Sequence, residues 1–137
     1  MILFYPVAPV LDWTQHEDVC QQKVITWINE NIPYYRDKII RIKNEEPNKV
    51  RLMQEIGKGL HKGAADNMIR TPTAMHPNLW IEFKNAKGSQ GPDQKKFQAR
   101  CEEWGDAYMI VGCQKDFEQL AMYLWKLSVK TKNGIEE

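Results

Sequence analysis

A chain of 137 residues is the size of a single domain and can bury a normal core without disulfides or structural metals. Hydrophobic residues at 42% and charged residues at 27% exclude a disordered or fibrous protein, and a net charge of +1 by itself favours no class of partner. The distribution of charge says more: residues 36–100 hold fourteen Lys and Arg against seven Asp and Glu, whereas 1–35 and 101–137 are each net −3. A basic middle third suits a polyanion-binding face, although the interspersed acids also fit an ordinary solvated surface.

Residues 1–13 form an apolar arm (Ile2, Phe4, Tyr5, Val7, Val10, Leu11, Trp13) that should pack on something, either a second copy of the chain or its own domain. The arm lacks a basic leader and a small-residue cleavage site, and Pro6 and Pro9 interrupt it, so neither export nor a membrane span is expected. Three cysteines, Cys20, Cys101 and Cys113, make an odd number without C-x-x-C spacing, which points to reduced thiols and a cytoplasmic setting. A zinc site drawn from Cys101, Cys113, His61 and His76 would lack any closely spaced ligand pair.

A single domain is expected over residues 14–129. Thr14, with Glu17 three positions on, predicts a capped helix running to Asn31, before Ile32-Pro33 stops it. Glu17, Gln21, Val24 and Ile28 lie in one row on that helix, so an acid and an amide are in line with an apolar face. Either they flank a stripe centred on Cys20, Val24, Trp27 and Ile28, or they are aimed into a cleft. Lys38 to Asn44 is β-branched and alternating, as in a strand with Ile40, Ile42 and Asn44 on one face. Glu45 to Asn48 is a turn, and Val50 to Leu60 a short helix.

Asp66 to Arg70 predicts a second strand and Asn78 to Lys84 a third. In the third, Leu79, Ile81 and Phe83 point one way, and Trp80, Glu82 and Lys84 the other. Glu82 and Lys84 are an exposed ion pair on the bland reading, or a metal ligand beside a water-orienting cation on the functional one. After a loop over residues 87–93, Pro92 suits the first turn of a helix with Phe97, Cys101 and Trp104 on one stripe headed by Gln94, and Gly105 ends it. Ala107 to Gly112 reads as a buried strand, Phe117 to Leu127 marks a last amphipathic helix, and residues 130–137 form a frayed tail. The order implies an α/β fold, a mixed sheet flanked by helices.

Glu17, Gln21, Asn44, Asp66, Glu82, Lys84 and Gln94 fall at the ends of elements and in line with core faces, where an unshared polar group is costly. Carboxylates on neighbouring strands suit a hard divalent cation, Mg²⁺ with a phosphodiester above all. The ordered set of Glu17, Gln21, Val24 and Trp27, then Asn44-Glu45, Lys62-Gly63-Ala64-Ala65-Asp66, Ile81-Glu82-Phe83-Lys84, and Gly88-Ser89 with Gln94 resembles the VRR-NUC branch of the PD-(D/E)XK nuclease superfamily from about Glu17 to Leu124. The resemblance implies a restriction-endonuclease-like fold and a Mg²⁺-dependent endodeoxyribonuclease, with Mn²⁺ able to substitute. By the same resemblance Asp66 and Glu82 bind the metal, Glu17 adds an acid directly or through water, Lys84 orients the attacking water, and Gln94 braces Lys84 or touches phosphate. Gln21 and Asn44 would either support the residues that hold the metal or contact the DNA backbone. Lys87, Lys95 and Lys96 border the proposed site in the basic stretch and are expected to contact DNA. The resemblance further implies a homodimer acting on branched DNA, four-way (Holliday) junctions included. The other reading is an inactive nucleic-acid-binding module of the same fold. Two departures stand out: Ala65 takes the place of the family's proline before the aspartate, and Asn67 that of an apolar residue.

Overall fold

In a computed structural model, residues 5–43, 45–72 and 74–132 are described, with 131 and 132 as backbone only. The elements in chain order are α1 (Glu17–Asn31), a 3-10 turn (Pro33–Tyr35), β1 (Ile39–Arg41), α2 (Lys49–Gly57), β2 (Asn67–Arg70), β3 (Asn78–Phe83), α3 (Pro92–Glu103), β4 (Ala107–Val111) and α4 (Gln114–Lys132). They build the expected mixed sheet in the order β1-β2-β3-β4. The first three strands run antiparallel, and α3 carries the chain across to β4, which lies parallel to β3.

Alternation on β3 divides the core in two. Leu79, Ile81 and Phe83 enter the larger cluster with Val24 and Ile28 of α1 and Phe117, Leu120 and Leu124 of α4. Trp80 belongs to the opposite cluster, with Ala64, Ala65, Phe97, Cys101 and Tyr108. Helices therefore cover both faces of the sheet, and Glu82 is buried although its side chain is polar.

Several local expectations give way to tertiary context. Thr14 does not cap α1, because Asp12 Oδ1 accepts both its backbone N–H (2.9 Å) and its hydroxyl (2.6 Å). His16 is the cap, its Nδ1 accepting from Asp18 N at 3.1 Å, so Glu17 opens the helix, where the macrodipole favours an acid. The first strand is shorter than the predicted span; beyond it Ile42 N still donates to the Asp66 carbonyl at 2.9 Å. β4 is not a fully buried strand but the edge of the sheet, with only Val111 buried along it. Trp104 is 54% exposed rather than in the core, and α4 continues to Lys132, through the start of the expected frayed tail. Asn44, Ile2 and Phe4 lie outside the described residues.

The arm lies on its own domain. Gln114, the first residue of α4, accepts from Leu11 N (3.0 Å) and Trp13 Nε1 (3.1 Å) and donates to the Pro9 carbonyl (2.9 Å). Ala8 and Trp13 are buried in the larger core, and the Tyr5 ring stands 5.7 Å from that of Trp125. Of the two occupants considered for the arm's apolar side, its own domain takes Ala8 and Trp13, while Val7 and Val10 stay exposed.

Candidate active site

The carboxyl end of β3 places Glu82 and Lys84 beneath α3. Glu82 is 1% exposed, and its two oxygens differ. Oε1 accepts from the Tyr108 hydroxyl and from Gln90 Nε2 at 3.2 Å. Oε2 lies 3.5 Å from Lys84 Nζ and is buried without a hydrogen-bond donor. Lys84 Nζ in turn donates to Gln94 Oε1 at 3.0 Å, and that oxygen also accepts from Gly91 N at 2.8 Å, tying the lysine to the first turn of α3. Burial, and then the hydrogen bond to Glu82, push the Tyr108 hydroxyl far above the ordinary phenol range, so it remains a donor.

Asp66 reaches the same strand from its neighbour: its Oδ2 accepts from Phe83 N at 2.6 Å, between Glu82 and Lys84 in sequence. The next residue, Asn67, is 4% exposed, and its Oδ1 accepts from Gln21 Nε2 at 2.8 Å. That bond gives a polar residue at position 67 a physical reason, since Gln21 is itself 8% exposed and needs a partner. The bond joins α1 to the strand after Asp66 and fits the supporting role that the resemblance implies for Gln21.

Glu17, Asp18, Arg41, Lys43, Glu45 and Asp66 line a cleft of about 490 Å³. Burial holds the Glu17 carboxyl above the ordinary carboxylate range; Lys84 opposes the shift and Asp66 adds to it, so all three groups share one field. A raised folded-state pKa means that the folded chain takes up the proton more readily than the unfolded one. Stability is therefore lost as pH rises from the unfolded value, about 4.3, through the folded one. Glu17→Gln is expected to raise the Tm of the metal-free protein at pH 7 and to flatten that decline, in thermal melts across pH 4–8. An unchanged or lower Tm at pH 7 would show that Glu17 carries no such cost.

Among the described residues no three His, Cys, Asp or Glu side chains are grouped closely enough to hold an ion. The residues present still fit a small hard cation: Mg²⁺ is held through one or two carboxylates with waters and substrate phosphates rather than by a protein cage. The buried Glu82 Oε2, lacking a donor, is the atom such an ion would satisfy. Lys87, Lys95 and Lys96 are exposed around this end of the sheet and α3.

Gly63 sets the position of α3. It has φ +76°, and a Cβ there would come 2.6 Å from both Asp93 O and Gln94 N. The loop before Asp66 thus rests directly on the backbone that carries Gln94.

Sequence reasoning missed Tyr108, Gln90 and Asn67. Tyr108 was legible only as one of an apolar run; its place opposite Trp80 follows from the parallel pairing of β3 and β4.

Neither a protein-family model nor a curated protein sequence matches the chain. A solved structure described as a "VRR_NUC domain protein" superposes with a TM-score of 0.67 over 82% of this chain and 90% of that one, at 18% sequence identity. The chain has the fold of a VRR-NUC domain.

Proposed function

We propose that the chain is a member of the VRR-NUC family and a Mg²⁺-dependent, structure-selective endonuclease that hydrolyses phosphodiester bonds in branched DNA, four-way junctions included. The observation that carries this reading is Glu82 Oε2, a buried carboxylate oxygen with no donor, beside the Lys84 ammonium on a strand stitched to Asp66. Asp66 and Glu82 would hold the ion, with Glu17 acting directly or through water, and Mn²⁺ would substitute. The ion would supply charge neutralisation at the phosphate and a lowered pKa for water. Lys84 has three N–H donors: one is given to Gln94, one faces Glu82, and the third is left for the attacking water or a phosphate oxygen. Because Gln94 is itself held by Gly91 N, the ammonium is fixed before substrate arrives.

Labelled linear, flapped and four-way DNA, each incubated with Mg²⁺, Mn²⁺ or EDTA, tests the reading. Cleavage with either ion and none in EDTA is expected. The alternative, an inactive nucleic-acid-binding module of the same fold, would bind the same panel and cut none of it.

Binding rests on the exposed lysines. Affinity is expected to fall steeply with salt, and charge reversal at Lys87, Lys95 or Lys96 to lower the slope of log K against log salt by about 1 each, without changing sequence preference. Equal affinity at low and physiological ionic strength would remove these contacts.

Paired copies of the chain would set two equivalent sites on two strands of a junction. With the arm laid on its own domain, the pairing surface is sought at the sheet edges β1 and β4. Sedimentation at micromolar concentration should give twice 16.1 kDa, and a monomer would leave only single-strand cleavage.

A further inference from the structure

We infer that Tyr108 and Gln90 make Glu82 a one-oxygen ligand, and that this clamp selects Mg²⁺ or Mn²⁺ against Ca²⁺. The inference rests on the metal-dependent reading above and adds to it the choice of ion. Oε1 of Glu82 is occupied from two directions, by the Tyr108 hydroxyl on β4 and by Gln90 Nε2 in the loop before α3. A carboxylate oxygen has about two lone-pair sites, so Oε1 is used up and only Oε2 remains.

Both clamping groups are fixed. The Tyr108 ring centroid stands 6.5 Å from that of Phe97, and its residue pairs with Trp80 in the sheet. Gln90 Nε2 has two N–H groups and spends both, one on Glu82 and the other on Gln98 Oε1 at 2.9 Å. Turning Glu82 to offer both oxygens to one ion would strand a half-buried phenol hydroxyl and break the Gln90 bond.

Cation chemistry turns that asymmetry into selection. Ca²⁺ collects six to eight oxygens and commonly takes a carboxylate through both of its oxygens. Mg²⁺ needs near-octahedral geometry, accepts single carboxylate oxygens and keeps its waters. A glutamate confined to one oxygen therefore suits the smaller ion and leaves the larger one short of ligands. Tyr108 and Gln90 act through Glu82, as positioning residues.

The test uses the full chain without DNA. Binding of Mn²⁺ is followed by EPR, with Mg²⁺ and Ca²⁺ as competitors, for the wild type, Tyr108→Phe and Gln90→Leu, each checked by circular dichroism and thermal melting. In the wild type Ca²⁺ should compete at least about tenfold more weakly than Mg²⁺. Tyr108→Phe should improve Ca²⁺ competition about tenfold and change that of Mg²⁺ by no more than about two- to threefold, with Gln90→Leu intermediate. An unchanged Ca²⁺ to Mg²⁺ ratio in both folded variants, or an equal loss of both ions, overturns the clamp and leaves the metal site standing. A wild-type chain that binds no Mn²⁺ at millimolar concentration overturns the metal site and the clamp together.

Discussion

Glu82→Gln is expected to lower the single-turnover rate of DNA cleavage by on the order of a thousandfold, while affinity for the same DNA stays within about threefold. The amide preserves shape and can still accept from Tyr108, but it removes the anionic Oε2 that faces Lys84. Lys84→Ala should lose activity to a similar degree through the other partner, because it deletes the one ammonium that is fixed by Gln94. Binding should survive in both, because on the proposed reading it is spread over exposed lysines, each contributing about one phosphate contact. Rates near wild type in either variant would sink the assignment; affinity lost in parallel with rate would mean that these residues bind rather than catalyse.

The second large effect falls on a residue with no functional group. Gly63→Ala would force a Cβ to within 2.6 Å of the Asp93 carbonyl and Gln94 N, which are backbone atoms with little freedom to give way. It would also hold an L side chain at φ +76°. Overpacking and backbone strain together should cost about 2–4 kcal/mol, read as a Tm lowered by roughly 6–16 °C. Where the variant remains folded, a shift of the first turn of α3 that relieves the clash would draw Gln94 from Lys84, so the cleavage rate should fall as well. Lys62→Ala, exposed at the neighbouring position, is the control and should leave the Tm unchanged. A wild-type melting curve for Gly63→Ala would show that the loop does not bear on α3.

Much of the fold was written in local patterns. Alternation along residues 78–84 separated Leu79, Ile81 and Phe83 from Glu82 and Lys84, and the row Gln94, Phe97 and Cys101 placed an amide at the head of a buried stripe. Interactions between distant segments were not written there. Gln21 and Asn67 meet across forty-six positions, so each alone looked like a polar intrusion into a core face. Tyr108 meets Glu82 because β4 lies parallel to β3, and a nearly continuous apolar run says nothing about its neighbour or that it ends up at an edge. Competition misled the reading at Thr14, which had the right residue three positions ahead of it but was taken by Asp12. At Trp104 the helix ended on the expected core residue, which covers Trp80 and Phe97 from outside, with ring centroids 6.4 and 6.3 Å away.

The strand order has a consequence for how the chain is made. Asp66 and Glu82 stand at one end of an antiparallel hairpin, β2 and β3, which can pair once residue 84 has left the ribosome. Gln90, Gln94 and Tyr108 follow on the leading loop, α3 and β4, and at cellular translation speeds Tyr108 emerges roughly one to five seconds later. Until α3 and β4 close over it the Glu82 carboxyl would stay hydrated, so the work of taking it out of water would fall after the hairpin has formed. On the metal-dependent reading proposed above, a cation held by the hairpin would lower the cost of that burial.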